Sequence, residues 1–181
     1  MNASGRGSIM LKLCVAGAVG RMGSAVIQEA VAKGHQVTGA VEAAGNPCID
    51  RTLRELGICN SDTRIVGAER IREACRNADV YVTFTAPAAE IQNIPAVAAL
   101  GKRIVLGTTG FTEEQNRQLR EAVQGRVPAV FSPNFSVGVN ILFKLAQALK
   151  AFPQEYTFSI SEIHHTGKKD APSGTAKKLG Q

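Results

Sequence analysis

Near the end of the chain, Glu162-Ile163-His164-His165-Thr166-Gly167-Lys168-Lys169-Asp170-Ala171-Pro172-Ser173-Gly174-Thr175-Ala176 gathers residue types that can do proton and anion chemistry. Two of the three histidines stand side by side, and two lysines follow within five residues. Histidine titrates near neutrality, so His164 or His165 can give or take a proton at cellular pH. Lys168 and Lys169 bring compact, movable positive charge. Pro172 disfavours helix in the residue before it, Ser173 suits a helix cap, and Gly174 and Thr175 then fall where backbone N–H groups are free to receive a carboxylate. A small dianion fits such a segment; the alternative is a solvated basic loop with one histidine satisfied in the core.

The front of the chain favours the chemical reading. Met10 to Ala16 reads as a short strand, Ser24 to Lys33 as a helix closed by Gly34, and His35 to Glu42 as a second strand ending on an acid. Between the first strand and the helix lies Gly17-Ala18-Val19-Gly20-Arg21-Met22-Gly23, spaced G-x-x-G-x-x-G. Strand, glycine turn, helix, strand and acid in that order form a mononucleotide-binding unit. Gly17 permits the tight turn, Gly20 a close approach of backbone to a pyrophosphate, and Gly23 helix packing. Glu42, nineteen residues after Gly23, can accept hydrogen bonds from the ribose hydroxyls of NADH and would repel the 2′-phosphate of NADPH.

Composition narrows the classes. The chain has 181 residues, 44% hydrophobic and 20% charged, enough for one ordinary domain or slightly more. The net charge of +6 is scattered along the chain, and there is no Trp, which favours small anions over nucleic acid. Cys14, Cys48, Cys59 and Cys75 form no Cys-x-x-Cys pair and lack histidines at ligand spacing, so no metal site is expected and reduced thiols of a cytoplasmic protein are. Residues 1–9 read as a disordered tail without signal-peptide character, and no apolar run is long enough to span a membrane.

The elements that must position these groups follow in order. Ala43 to Gly57 reads as loop, Arg64 to Val66 as a short strand and Ala68 to Asn77 as a helix. Ala78 to Thr85 reads as a buried strand, Ala88 to Leu100 as a helix carrying Pro95, and Lys102 to Leu106 as a strand. Thr112 caps a helix to about Val123, and Val127 to Phe131 is a further strand. A long helix over Val137 to Phe152 and an alternating strand over Tyr156 to Ile163 complete the pattern. The alternation predicts an α/β fold, a Rossmann-like doubly wound parallel sheet over residues 10–135. Ligands collect at the carboxyl ends of such strands. Four strand ends would line one cleft: Gly17 onward, Phe84-Thr85, Gly107-Thr108-Thr109, and Ser132-Pro133-Asn134.

Four stretches, taken together, resemble the dihydrodipicolinate reductase family, also called 4-hydroxy-tetrahydrodipicolinate reductase. They are Val15 to Gly23, Val105 to Phe111, Asn134 to Asn140, and Glu162-Ile163-His164-His165 through Lys168 to Ala176. The resemblance runs from about Leu11 to the last residue, and it implies that 136–181 are the start of a second α+β substrate-binding and oligomerisation domain. It implies NAD(P)H-dependent reduction of a cyclic dicarboxylate imine to tetrahydrodipicolinate in the diaminopimelate route to lysine. It implies His164 as catalytic acid and Lys168 as the assisting second acid or charge stabiliser, with His165, Gly174 and Thr175 on the substrate carboxylate. Gly17, Ala18, Val19, Gly20, Arg21, Met22, Glu42, Phe84, Thr85, Gly107, Thr108, Thr109, Ser132, Pro133, Asn134 and Phe135 would contact the cofactor. A homotetramer is implied for the full-length protein, and no nucleic-acid or membrane partner.

Two departures stand out. Ala43 and Ala86 occupy positions where many relatives carry arginine, and the first of these favours NADH. Relatives also run well past Gln181, so the chain reads as truncated, which leaves open a nucleotide-binding fragment without turnover.

Overall fold

The computed structural model describes residues 9–164, 166 and 171–180. Six strands, β1 (Lys12–Ala16), β2 (Gln36–Glu42), β3 (Ile65–Gly67), β4 (Val80–Thr83), β5 (Arg103–Leu106) and β6 (Ala129–Phe131), form one sheet in the order β3-β2-β1-β4-β5-β6. Every pairing in it is parallel. The direction of winding reverses between β1 and β4, the switch point where doubly wound sheets bind ligands.

Parallel strands need crossover helices, which cover both faces, so the central strands are apolar on both sides. Along β1, Leu13 and Val15 pack with Ile27, Ala30 and Leu53 on one face. Cys14 and Ala16 pack with Tyr81, Ile94, Val97, Ile104 and Leu119 on the other. The first face is covered by α1 (Arg21–Ala32) and the loop after β2. The second is covered by α2 (Ile71–Ala74), α3 (Pro87–Ala98) and α4 (Glu113–Val123).

Local chemistry explains the boundaries. Gly34 ends α1 at φ +80°, with its N–H on Val31 and the His35 N–H on Ala30, the paired bonds of a Schellman motif. Pro87 starts α3, where a missing N–H costs nothing. Thr112 and Gln115 close a reciprocal capping box on α4.

Several sequence expectations shift. α1 begins at Arg21 rather than Ser24, because Gly20 is extended and hands over directly to the helix. The helix expected over Ala68 to Asn77 is a 3₁₀ turn, Ala68–Arg70, followed by the four residues of α2. Pro95 lies inside α3 beyond its first turn, and Pro87 occupies that first turn instead. The long helix resolves into α5 (Val137–Ala146) and a 3₁₀ segment, Gln147–Ala151. The largest correction concerns Tyr156 to Ile163, which forms no strand and is exposed throughout. Alternation says which side chains share a face but supplies no neighbouring strand, and among the described residues none pairs with it. Instead Phe152 stands edge-on to Tyr156 and Phe158, at 5.4 and 5.6 Å between ring centres. A last helix, α6 (Gly174–Leu179), follows Ser173.

Candidate active site

The turn after β1 is held chiefly by backbone hydrogen bonds. The N–H groups of Gly17 and Ala18 both donate to the Val41 carbonyl, pinning the turn to β2. Gly17 sits at φ +73°, and a Cβ there would stand 2.5 Å from the Phe84 carbonyl oxygen. Only glycine fits, and the end of β1 can therefore lie directly against the end of β4. A Cβ on Gly23 would stand 2.0 Å from the Gly17 carbonyl oxygen, so Gly23 seats α1 on the turn itself. No side chain caps α1 and its first turn carries no acid, leaving its N-terminal amides open to an anion. This donor set fits a dinucleotide pyrophosphate.

Glu42 ends β2 and turns back. Its Oε1 accepts from the Val19 N–H at 2.8 Å and its Oε2 from Asn46 Nδ2 at 3.2 Å. The acid expected at the ribose thus also braces the glycine turn. Arg21 and Met22 open α1, with Met22 about half exposed.

At the ends of β4 and β5, the Thr85 N–H donates to Thr108 Oγ1 at 2.9 Å. The Phe84 ring lies on Gly107, where a Cβ would meet ring carbon Cε1 at 2.1 Å, and stands edge-on to Phe135 at 6.1 Å. At the end of β6, Ser132 Oγ donates to the Asn134 carbonyl at 2.6 Å, and Asn134 Nδ2 donates to Thr175 Oγ1 at 3.4 Å. A Cβ on Gly174 would lie 3.0 Å from Pro133 Cβ and 3.3 Å from Thr109 Cγ2. The residues assigned to cofactor and those assigned to substrate carboxylate therefore touch. Thr108, Thr109, Ser132, Pro133 and Gly174 share a cleft of about 720 Å³, walled on its far side by Asn116, Arg117 and Arg120 of α4.

His164 does not line this cleft. It is tied to it through Glu162, which accepts from His164 Nε2 at 2.9 Å and from the backbone N–H of Ser173 at 2.7 Å, and takes the Ser173 hydroxyl as well. The hydrogen bonds from Ser173 and His164 hold the Glu162 carboxyl down at about 2. His165 and Lys168 lie outside the described residues.

Two acids at the site escaped the sequence reading. Glu162 stood in the quoted motif without a role, although its spacing of two from His164, in a segment read from its alternation as a strand, was a usable signal. Glu90 left no signal, since an acid in the first turn of a helix normally faces water. Here it is fully buried beneath the strand ends, with Oε1 taking the hydroxyls of Thr83 and Thr85 while Oε2 has no partner among the described residues. Burial pushes its carboxyl up, opposed by the two threonine bonds.

Residues 11–135 match the family model described as dihydrodipicolinate reductase, N-terminus, and residues 138–181 match the model of its C-terminus. The chain belongs to the dihydrodipicolinate reductase family. A 4-hydroxy-tetrahydrodipicolinate reductase of Anaeromyxobacter dehalogenans is 41% identical over 174 residues, covering 95% of this chain and 64% of that protein. One of Geotalea daltonii is 38% identical over the same shares. A dipicolinate-bound dihydrodipicolinate reductase from Paenisporosarcina sp. TG-14 superposes with a TM-score of 0.62 at 26% identity, over 94% of this chain and 64% of the other. A probable dehydrogenase from Thermotoga maritima shares the fold, with a TM-score of 0.55 at 14% identity. The chain thus spans 64% of the length of these curated relatives. No helix among the described residues is long and apolar enough to cross a membrane.

Proposed function

We propose that the protein reduces 4-hydroxy-tetrahydrodipicolinate, or its dehydrated dihydrodipicolinate form, to tetrahydrodipicolinate. The supporting observation is the contact of Gly174 and Thr175 with Thr109, Pro133 and Asn134, because a reductase must bring a substrate carboxylate and the reactive end of a dinucleotide into one cleft. A bound NADH or NADPH supplies the hydride. Gly17 to Met22 would hold its pyrophosphate and Glu42 its ribose. Phe84, Thr85, Gly107 to Thr109 and Ser132 to Phe135 would orient the nicotinamide end. Glu42 followed by Ala43 favours NADH, since no arginine offsets the acid for a 2′-phosphate.

On the substrate side, the N–H groups of Gly174 and Thr175 take a carboxylate, and Lys168 and His165 add positive charge. Hydride addition to a conjugated imine leaves negative charge on the ring system, and His164 delivers the proton that quenches it. The domain division at 135/136 and a homotetramer of the full-length protein complete this reading, in a cytoplasmic enzyme of lysine biosynthesis.

The test follows the absorbance of NADH and NADPH with freshly generated dihydrodipicolinate, using this chain and a version of the relatives' length. Substrate-dependent oxidation that His164→Ala abolishes, with NADH binding retained, is expected. No oxidation by either chain would refute the proposal. A second reading, nucleotide binding without turnover, draws on the 64% span; turnover by this chain would exclude it.

A further inference from the structure

We propose that Glu162 is the positioning residue of the proton-transfer step, holding His164 in the one tautomer that presents Nδ1 to the substrate. This deepens the reductase reading and rests on it.

Glu162 lies two residues before His164, and the two side chains meet. Its Oε2 receives His164 Nε2 at 2.9 Å and the Ser173 hydroxyl; its Oε1 receives the Ser173 N–H at 2.7 Å. The same Ser173 hydroxyl accepts from the Ala176 N–H at 3.0 Å, capping α6. A carboxylate offers acceptors only. Whatever faces Oε2 must therefore donate, so Nε2 carries its proton in both the neutral ring and the imidazolium. The proton available for transfer is then the one on Nδ1.

The step balances simply. The imidazolium gives its Nδ1 proton to the anion left by reduction, forming a bond from that proton to substrate and leaving neutral imidazole with Nε2–H still on Glu162. Glu162 stays ionised throughout, since its own proton affinity is held far below that of imidazole by three donated hydrogen bonds. The anchorage has a second effect. Glu162 joins His164 to the cap of α6, whose next two residues, Gly174 and Thr175, are the candidate carboxylate ligands. Proton donor and carboxylate pocket are thereby set at a fixed separation, which is what an oriented general acid requires.

The decisive variant is Glu162→Gln. Its amide keeps the shape, and one orientation still accepts the Ser173 N–H at the Oε1 position. That orientation places an NH₂ group where Oε2 stood, and His164 Nε2 must become an acceptor. The ring then changes to the Nδ1–H tautomer. ¹⁵N-detected NMR of this chain, at a pH where the ring is neutral, reads this directly, with His164 identified by the loss of its signals in His164→Gln. The expected result is a protected Nε2 proton in the wild type and Nδ1–H in Glu162→Gln. Ser173→Ala, which removes the cap but leaves the ion pair, should retain Nε2–H. The proposal is overturned by Nδ1–H in the wild type, or by one and the same tautomer in wild type and Glu162→Gln. If Glu162→Gln does not fold, loss of the protected Nε2–H in Ser173→Ala overturns it. In turnover, kcat should fall about 10²- to 10³-fold in Glu162→Gln with KM changed less than about threefold, because tautomer and not binding is altered. A kcat within threefold of wild type overturns the proposal too. No turnover by either this chain or the version of the relatives' length sinks the reductase reading, whereas the tautomers still decide the role of Glu162.

Discussion

Gly23→Ala tests the packing that creates the proposed nucleotide cradle. The added Cβ would lie 2.0 Å from the Gly17 carbonyl oxygen, 2.7 Å from its carbon and 3.0 Å from Ala18 Cα. All three are backbone atoms, and the turn cannot yield, because Gly17 and Ala18 are both bonded to the Val41 carbonyl at 2.9 and 3.3 Å. Carbon–oxygen contacts settle at roughly 3.3 Å or more, so α1 must move out by more than about 1 Å. That helix buries Ile27 completely and Ala30 almost so. A gap of about 1 Å forfeits up to half of the dispersion energy of the contacts it opens, and overpacking alone costs about 1–3 kcal/mol. A total near 2–4 kcal/mol is expected, a large share of a stability on the order of 5–15 kcal/mol. Gly34→Ala is the control: nothing lies within 4 Å of the new Cβ, and only the left-handed φ of +80° opposes it, at about 1–2 kcal/mol. Urea denaturation and NADH fluorescence titration would be measured on both. Gly23→Ala should lower the midpoint more than Gly34→Ala and weaken NADH binding at least tenfold, because the N–H groups of α1 move with the helix. A midpoint for Gly23→Ala at or above that of Gly34→Ala, with NADH affinity within twofold of wild type, would refute the reasoning.

The other end of the proposed cofactor track offers a softer contact. In Gly107→Ala the new Cβ would meet the Phe84 ring at 2.1 Å, and a ring can rotate where backbone cannot, so stability should drop by only about 1–2 kcal/mol while the edge-on packing on Phe135 is lost; NADH titration should show weaker binding, and unchanged affinity would argue against Phe84 as a nicotinamide contact. Glu90 should make stability depend on pH. Its folded-state proton affinity is raised by burial, so its contribution is full below the ordinary carboxyl range and fades as pH rises through the raised value. Thermal melts should therefore show Glu90→Gln with a flatter pH profile than wild type over that interval, and parallel profiles would exclude the buried acid as the cause.

How much of this was legible in the chain depends on what kind of interaction made each feature. The glycine turn, the acid at the end of β2, the strand ends at Thr85, Thr109 and Asn134, and the cap at Ser173 are local: each depends on a few neighbouring residues, and turn, cap and periodicity rules read them directly. The doubly wound parallel architecture followed from alternation, because parallel strands need helical crossovers, whereas the strand order came only from the folded sheet. Non-local facts were not available. Tyr156 to Ile163 alternates as a strand should, yet pairing requires a second backbone in register, which a local pattern cannot supply. Glu90 looked like a solvated acid at a helix start and became a buried one because α3 lies against the end of β4. Glu162 became the link between His164 and Ser173 only when the chain folded back across eleven residues to bring the cap of α6 onto its carboxylate. The sequence by itself determined which chemical groups the chain owns and the local turns that present them; the tertiary structure alone decided which of those groups meet, because burial and hydrogen bonding across distant segments depend on packing that no single stretch encodes.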